Sequence, residues 1–213
     1  MKKITRFFAV MMLCIPALMV TSCLSDNDED FSFTNEEIAN YMRQMDGYYS
    51  GKVYFYNDTI KQEWKGDSAF VSVRFNFADS SMVMSDVPIR LFTRCLMGTR
   101  FESVSAELDK LPVQTIKAKT VFYNSTKNGL VYYGIYPAST TFKIKNGETE
   151  HNLVYNYYCY LNSNGQYYNH EVACQMYITD VMYDNNTVVK YTLTNSYVDN
   201  AALIAFRGSS SFL

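Results

Sequence analysis

Hydrophobic and polar residues alternate with a period of two over most of the chain, which predicts strands with one buried and one exposed face. In the clearest run, Val71, Val73 and Phe75 alternate with Ser72 and Arg74. Similar runs predict further strands at 48–57, 115–124, 128–136, 139–146, 149–161, 167–182, 187–195 and 200–206. Asn-Gly pairs at 128–129, 146–147 and 164–165 suit left-handed hairpin turns, so the strands should be antiparallel.

Three short segments follow helical spacing instead. Thr34 and Glu37 form a capping box, and the apolar residues after it predict a helix over 35–45. A second helical pattern covers 88–97, and a weaker one covers 104–111. We therefore expect an α+β domain, mainly antiparallel β, built as a sandwich or flattened barrel of about 8–10 strands with two or three short helices.

Residues 1–22 are typical of an export signal that is cleaved, with a basic start and an apolar stretch too short to span a bilayer. The segment Val20-Thr21-Ser22-Cys23 resembles a bacterial lipobox, in which the cysteine receives diacylglycerol and becomes the new N-terminus. This resemblance implies that Cys23 carries acyl chains such as palmitate, which hold a soluble domain at a membrane. An ordinary secretory signal with a coincidental cysteine is the alternative.

After cleavage, the expected organisation is a lipidated cysteine with an acidic tether at 23–33, followed by a single β-rich domain at 34–213. The full chain has 19 basic and 21 acidic residues. Removing the signal leaves 16 basic residues, and four of the acids lie in the tether, so the domain is close to neutral. Such a domain lacks the basic field that DNA or RNA binding needs, so we expect no nucleic-acid partner.

The cysteines predict packing rather than cross-linking. Once Cys14 leaves with the signal and Cys23 takes lipid, an odd number remains, namely Cys95, Cys159 and Cys174. A two-residue turn at residues 164–165 would set the last two about 14 Å out of register, which is beyond disulfide reach. We therefore expect all three to be small buried hydrophobes.

Several short motifs together resemble an uncharacterised domain family of small Bacteroidetes-type outer-membrane lipoproteins, over roughly residues 35–206. They are the lipobox, the acidic tether, Asp46-Gly47-Tyr48-Tyr49-Ser50-Gly51-Lys52-Val53, Asp67-Ser68, Val87-Pro88 and Asn146-Gly147. The acidic run after Cys23 resembles the signal that sends such lipoproteins to the cell surface, a plain spacer or the periplasmic face being the alternative. The family brings no known activity. The segment Gly47-Tyr48-Tyr49-Ser50-Gly51 also resembles the first strand of lipocalin-like barrels, which would imply a cavity.

The sequence contains no motif for an enzyme, a metal or a cofactor. His151 and His170 are the only histidines, and the segment after His170 lacks the second histidine of a zinc protease. The whole sequence contains neither a nucleophile elbow nor a phosphate-binding glycine loop. We therefore expect a non-enzymatic protein, with a glycosidase built on two facing carboxylates as an alternative. The acids considered are Glu102, Glu107, Asp109, Glu148, Glu150, Asp180 and Asp184.

Tyrosine is the one unusual feature of the composition, with 19 residues against a single tryptophan. Adjacent tyrosines in a strand point to opposite faces, so some must lie outside the core. Tyrosine rings can stack on sugars or anchor protein partners. The alternative is that tyrosine is frequent here only because it is a good strand former. The predicted aromatic binding surface comprises Tyr155, Tyr157, Tyr158, Tyr160, Tyr167 and Tyr168.

Two tripeptides, Asp58-Thr59-Ile60 and Asp67-Ser68-Ala69, resemble O-glycosylation acceptors of Bacteroidetes secreted proteins, which would modify Thr59 and Ser68. Taken together, these features predict a lipid-anchored binding or structural module of the outer membrane that recognises a glycan or an envelope protein. A lipocalin-like carrier of a small apolar ligand is the alternative, and it requires an internal cavity.

Overall fold

Each barrel strand of this chain hydrogen-bonds to a neighbour on both sides, so the sheet closes on itself. The computed structural model describes residues 33–57, 67–96, 102–158, 164–190, 192–194, 197–199 and 202–210. The strands are β1 Gly47–Asn57, β2 Asp67–Asn76, β3 Ser81–Val87, β4 Gln114–Ser125, β5 Val131–Pro137, β6 Thr140–Asn146, β7 Thr149–Tyr158, β8 Gly165–Tyr168, β9 Glu171–Tyr183, β10 Asn186–Lys190, β11 Thr192–Thr194, β12 Tyr197–Asp199 and β13 Ala202–Ser210.

Eight of these strands form a closed antiparallel barrel in the order β13-β1-β2-β3-β4-β5-β8-β9. The barrel closes because β13 pairs with β1 on one side and with β9 on the other. The predicted mainly antiparallel α+β class is therefore confirmed, and of the two architectures the barrel is the one that forms. Strand β3 was not predicted, although Met82 and Met84 alternate with polar or half-buried positions there.

The hairpin turn predicted at Asn164-Gly165 is wrong. The long strand expected over 167–182 is divided into β8 and β9, which pair through a turn at Asn169 and His170, both with positive φ values of 46° and 64°. Gly165 lies opposite Cys174 in this hairpin. Gly165 therefore lies in a strand, where it leaves room for the ring of Tyr133, rather than in a turn.

The helices are α1 Asn35–Gln44, α2 Arg90–Thr93 and α3 Glu102–Leu108, with a 3-10 turn at Arg94–Leu96. The sequence-predicted helices over 35–45, 88–97 and 104–111 correspond to these elements. At the start of β1, the hydroxyl of Tyr49 donates to the carbonyl of Met45, just after α1. Helices α2 and α3 connect β3 to β4 at the opposite end of the barrel. Helices therefore contact the strands near both ends of the barrel.

Strand β9 is longer than the barrel wall and continues into a second layer. Its later half pairs with β7 and β10, and β6 pairs with β7. This extension packs on α2, where the ring of Phe92 contacts those of Phe142 and Tyr155 at 4.9 and 5.1 Å. Tyr155 also donates a hydrogen bond to the Phe92 carbonyl, 2.9 Å.

Residues Glu36 to Leu213 form one compact unit. None of the helices in the described ranges has both the length and the apolar composition to cross a membrane. The signal segment, Cys23, Thr59, Cys159 and Tyr160 lie outside the described residues.

Candidate functional site

The interior of the barrel is filled by apolar and aromatic side chains. The rings of Tyr49, Phe75 and Tyr133 contact one another edge to face, with centroid distances of 5.6 and 5.4 Å. Inward side chains from five strands expose none of their surface, so no water-sized space lies beside them: Val53, Val73, Met82, Met84, Ile116 and Met176. Burial raises the pKa of the hydroxyls of Tyr49 and Tyr133, which keeps both protonated.

No carboxylic acid is buried among the described residues. The polar side chains buried there are Thr93, Thr120, Thr140 and Asn164.

The outward face of the paired strands β1 and β2 carries exposed aromatic and cationic side chains, which we call the outer wall. Its members are Tyr48, Lys52, Phe70 and Arg74, all exposed. They lie outside because their strands alternate, and the intervening residues fill the core. Large aromatic rings with this much exposure on neighbouring strands are typical of interaction surfaces.

Two cation–π pairs connect the aromatic and cationic residues of the outer wall. Arg74 lies over the ring of Tyr48 at 4.7 Å from its centroid and also donates a hydrogen bond to the Tyr48 hydroxyl. The ammonium of Lys52 lies 5.0 Å from the centroid of Phe70. Tyr48 is 62% exposed and Phe70 is 76% exposed, so each ring still presents surface to solvent.

The register places the two pairs on the same outward face of the β1–β2 hairpin. Tyr48 lies opposite Arg74, and Lys52 lies opposite Phe70. Lys117 and Lys119 of β4 and Tyr136 of β5 are also exposed, but they lie two to four strands further around the closed barrel.

The outer wall carries the cations Lys52 and Arg74, and the carboxylates Asp46 and Asp67 lie at the two ends of the β1–β2 pair. Asp67 is already bound by Arg90 at 2.6 Å and by Arg94 at 3.4 Å. Partial burial acts to raise the pKa of Asp67, but the hydrogen bond from Arg90 and the two guanidinium charges hold it below its usual value.

Of the six tyrosines predicted as a binding surface, the five among the described residues do not share one exposed face. Tyr155 and Tyr167 are buried in the core, at 0% and 6% exposure. Tyr157 is half-buried and shares a hydrogen bond of 2.7 Å with the hydroxyl of Thr140. Their place in the core follows from strand alternation, because each lies on the face that packs inward.

Only Tyr158 and Tyr168 of the described members of that set are exposed, at 44% and 51%. They lie opposite Tyr177 and Glu171 of β9, which are six residues or about 20 Å apart along the strand. The two exposed tyrosines are therefore separate and do not make a joint platform.

The structure also describes two of the three cysteines and one of the two candidate O-glycosylation residues. Cys95 and Cys174 are buried thiols that belong to no disulfide, which confirms the expectation for these two cysteines. Ser68, the second candidate for O-glycosylation, is exposed at the start of β2. Its carbonyl accepts a hydrogen bond from Arg90.

Two of the acids considered for a glycosidase, Glu150 and Asp184, lie in ion pairs. His151 pairs with Asp184 at 2.5 Å and stacks on Tyr183, at the tip of the β7–β9 extension. The hydrogen bond from His151 lowers the pKa of Asp184, and that from Lys143 lowers the pKa of Glu150. A general acid requires the opposite shift. Within the described ranges, no three His, Cys, Asp or Glu residues come together in a way that could hold a metal.

Sequence reasoning missed the outer wall because it combines Tyr48, one of an adjacent tyrosine pair, with Phe70, a phenylalanine on the next strand. Phe70 lies on the polar, outward face of β2, whereas Val71 and Val73 lie on its buried face. A large apolar residue at an outward position was therefore the available sequence signal. The pairing of Phe70 with Lys52 depends on the β1–β2 register, which local sequence does not state.

Comparison with known proteins bears on the family rather than on an activity. No curated protein matches the chain. Residues 44–183 match a protein family described as a domain of unknown function, DUF4840, and this range includes every barrel strand except β13. The expectation of an uncharacterised domain family is thereby confirmed. By that match, which covers well over half of its length, the chain belongs to the DUF4840 family.

Proposed function

We propose that this protein is a lipid-anchored, non-enzymatic module of the bacterial outer membrane that binds glycans through its outer wall. The observation that carries this proposal is the exposure of Tyr48 and Phe70 on the paired strands β1 and β2, each with a cation over its ring. The lipobox supports attachment of the chain through Cys23.

Aromatic rings bind sugars by stacking on the apolar face of the sugar ring, while hydroxyl and cationic groups bind the sugar's oxygens. Rings that are already held in place lose little conformational entropy on binding. Here Arg74 restrains Tyr48, and Lys52 restrains Phe70. Ser50 and Ser72 lie opposite each other between these two pairs. Because their side chains are short, they do not rise above the sheet between the rings.

The outer wall is a better candidate than the barrel interior. A carrier requires an internal cavity of a few hundred cubic ångströms, roughly the volume of its ligand. The inward side chains around Tyr133 are fully buried against one another, which leaves no such space beside them. A non-enzymatic role is supported by the carboxylates, since those with a shifted pKa are all shifted downward.

The experiment is a glycan array probed with the purified chain, followed by titration of the best glycan. The variant Tyr48→Ala/Phe70→Ala should weaken binding by about tenfold or more, because it removes two stacking rings. The matched control is Tyr158→Ala/Tyr168→Ala, which removes two exposed tyrosines away from the outer wall and should leave the affinity unchanged. Equal losses in both variants, or no glycan bound by the wild-type chain, would overturn the proposal.

The anchoring part is tested separately by Cys23→Ser. The wild-type chain should fractionate with the outer membrane and incorporate labelled palmitate, whereas the variant should do neither. Membrane association that persists in Cys23→Ser would contradict the lipid anchor and leave glycan binding untouched.

A further inference from the structure

We infer that the outer wall binds the interior of a linear polysaccharide, with one sugar stacked on Tyr48 and a second, about three residues further along the glycan, stacked on Phe70. This inference rests on the proposed function and names its ligand class. It comes from the spacing of the two rings, whereas the proposed function comes from their exposure.

The two rings of the outer wall are too far apart to touch the same sugar. Tyr48 and Lys52 are four residues apart on β1, and Phe70 lies opposite Lys52 on β2. The positions of Tyr48 and Phe70 are therefore about 14 Å apart along the hairpin. Two rings in contact have centroids only about 4.5–7 Å apart. Each ring thus forms a subsite of its own on the same outward face.

The surface between the two rings is low and polar. Ser50 and Ser72 lie opposite each other midway between the two pairs, and both are exposed. Their short side chains leave room for a ligand that continues from one ring to the other. Each hydroxyl can donate a hydrogen bond to the oxygens of such a ligand and accept one from its hydroxyl groups. A linear sugar chain presents these groups along its whole length.

The distance between the rings sets the length of the ligand. A pyranose residue in an extended glycan advances by roughly the spacing of neighbouring strands, about 5 Å. About four sugars are therefore needed to place the first on one ring and the last on the other. A shorter glycan can use only one ring at a time. When a longer glycan has bound one ring, its binding to the second is intramolecular, which raises the overall affinity.

The open shape of the wall favours the interior of a glycan over its end. Tyr48 is 62% exposed and Phe70 is 76% exposed, so neither ring lies at the bottom of a pocket that could enclose a terminal sugar. Charge does not select the ligand, because Lys52 and Arg74 each lie over a ring and a carboxylate lies at each end of the strand pair. The feature that distinguishes ligands is therefore their length.

The test uses oligosaccharides from the disaccharide to the octasaccharide, prepared by partial hydrolysis of the polysaccharide that binds best on the array and titrated into the purified chain. Affinity should rise by about tenfold or more between the disaccharide and the pentasaccharide and then level off. Affinity that does not depend on length, or a best ligand that is a monosaccharide or disaccharide, would overturn this inference and leave glycan binding standing. Failure of every glycan on the array would overturn both.

Single variants separate the two subsites. Tyr48→Ala or Phe70→Ala alone should lower the affinity for the octasaccharide to about that of the wild type for the disaccharide, because each variant leaves one ring. The control Tyr158→Ala removes an exposed tyrosine outside the wall and should keep the full dependence on length. If either wall variant kept that dependence, the two rings would not bind one glycan together, and the inference would be wrong.

Discussion

The ring of Tyr133 lies directly over Gly165, its partner across the β5–β8 pair. A Cβ atom at residue 165 would come within 2.2 Å of the ring, which no real contact allows. The ring is fixed there because its hydroxyl donates to the carbonyl of Ala173, 3.1 Å away, and its edge packs on Phe75. Glycine at this position is therefore what allows tyrosine to fill the barrel beside β8.

We predict that Gly165→Ala lowers the free energy of unfolding by about 1–3 kcal/mol, because the added methyl overpacks a fixed ring. Urea denaturation measures this loss. In the background of Tyr133→Leu the obstructing ring is gone, so the same Gly165→Ala change should cost much less. An equal cost in both backgrounds would show that the ring is not the cause.

Tyr155 gives a second stability prediction at the contact between the extension and α2. Tyr155→Phe removes the hydrogen bond to the Phe92 carbonyl and leaves a buried acceptor without that donor. The free energy of unfolding should fall by about 1 kcal/mol. Tyr158→Phe is the control, since that tyrosine is exposed, and its unfolding curve should overlay the wild type. If the two variants match, the buried hydrogen bond contributes nothing.

Asp67 makes part of the stability dependent on pH. Its pKa is lower in the folded protein than the ordinary value of 3.8, since Arg90 and Arg94 favour its ionised form. This contribution is present above the unfolded pKa and is lost as the pH falls through the folded one. The wild type should therefore lose stability over this acidic window more than Asp67→Asn does, by no more than about 1 kcal/mol for such surface pairs.

Thermal unfolding at neutral pH and below pH 3.8 measures the difference between wild type and Asp67→Asn. Asp109→Asn, at an exposed aspartate just after α3, is the matched control and should follow the wild type. Identical pH profiles for all three proteins would show that the Arg90 pair does not contribute.

The fold class was predictable because alternation and helical spacing are local. The β2 run from Val71 to Phe75 places its own side chains on two faces without reference to any other strand. Strand closure was not predictable, since the pairing of β13 with both β1 and β9 joins residues that are far apart in sequence. Local patterns thus define elements, and only the complete register defines the barrel.

The tyrosine surface shows the same limit. Tyr155 and Tyr158 differ in burial because one faces α2 and the other faces away from it, which depends on the helices that follow β3. The Asn164-Gly165 pair is a further case, since an Asn-Gly sequence suits a turn but here serves two packing roles. Residue type alone does not distinguish these uses.

Asn164 performs the second of those roles, and it yields the last prediction. Its side chain lies buried beside Ile135, accepting from the backbone N–H at 2.6 Å and donating to the carbonyl at 3.0 Å. The amide thus continues the β5–β8 ladder just before β8 begins. Asn164→Ala should lower the free energy of unfolding by about 2–4 kcal/mol, because both peptide groups of Ile135 lose their partner in a buried place.

Hydrogen exchange of the Ile135 amide tests this role directly. Asn164→Ala should speed that exchange strongly, whereas Asn164→Asp keeps an acceptor for the N–H and should preserve part of the protection. Gln166→Ala, two residues further along the chain and half-buried, is the control and should leave the Ile135 amide protected. If Asn164→Ala exchanged as slowly as the wild type, the ladder would not depend on this side chain, and its burial would have to be explained by packing alone.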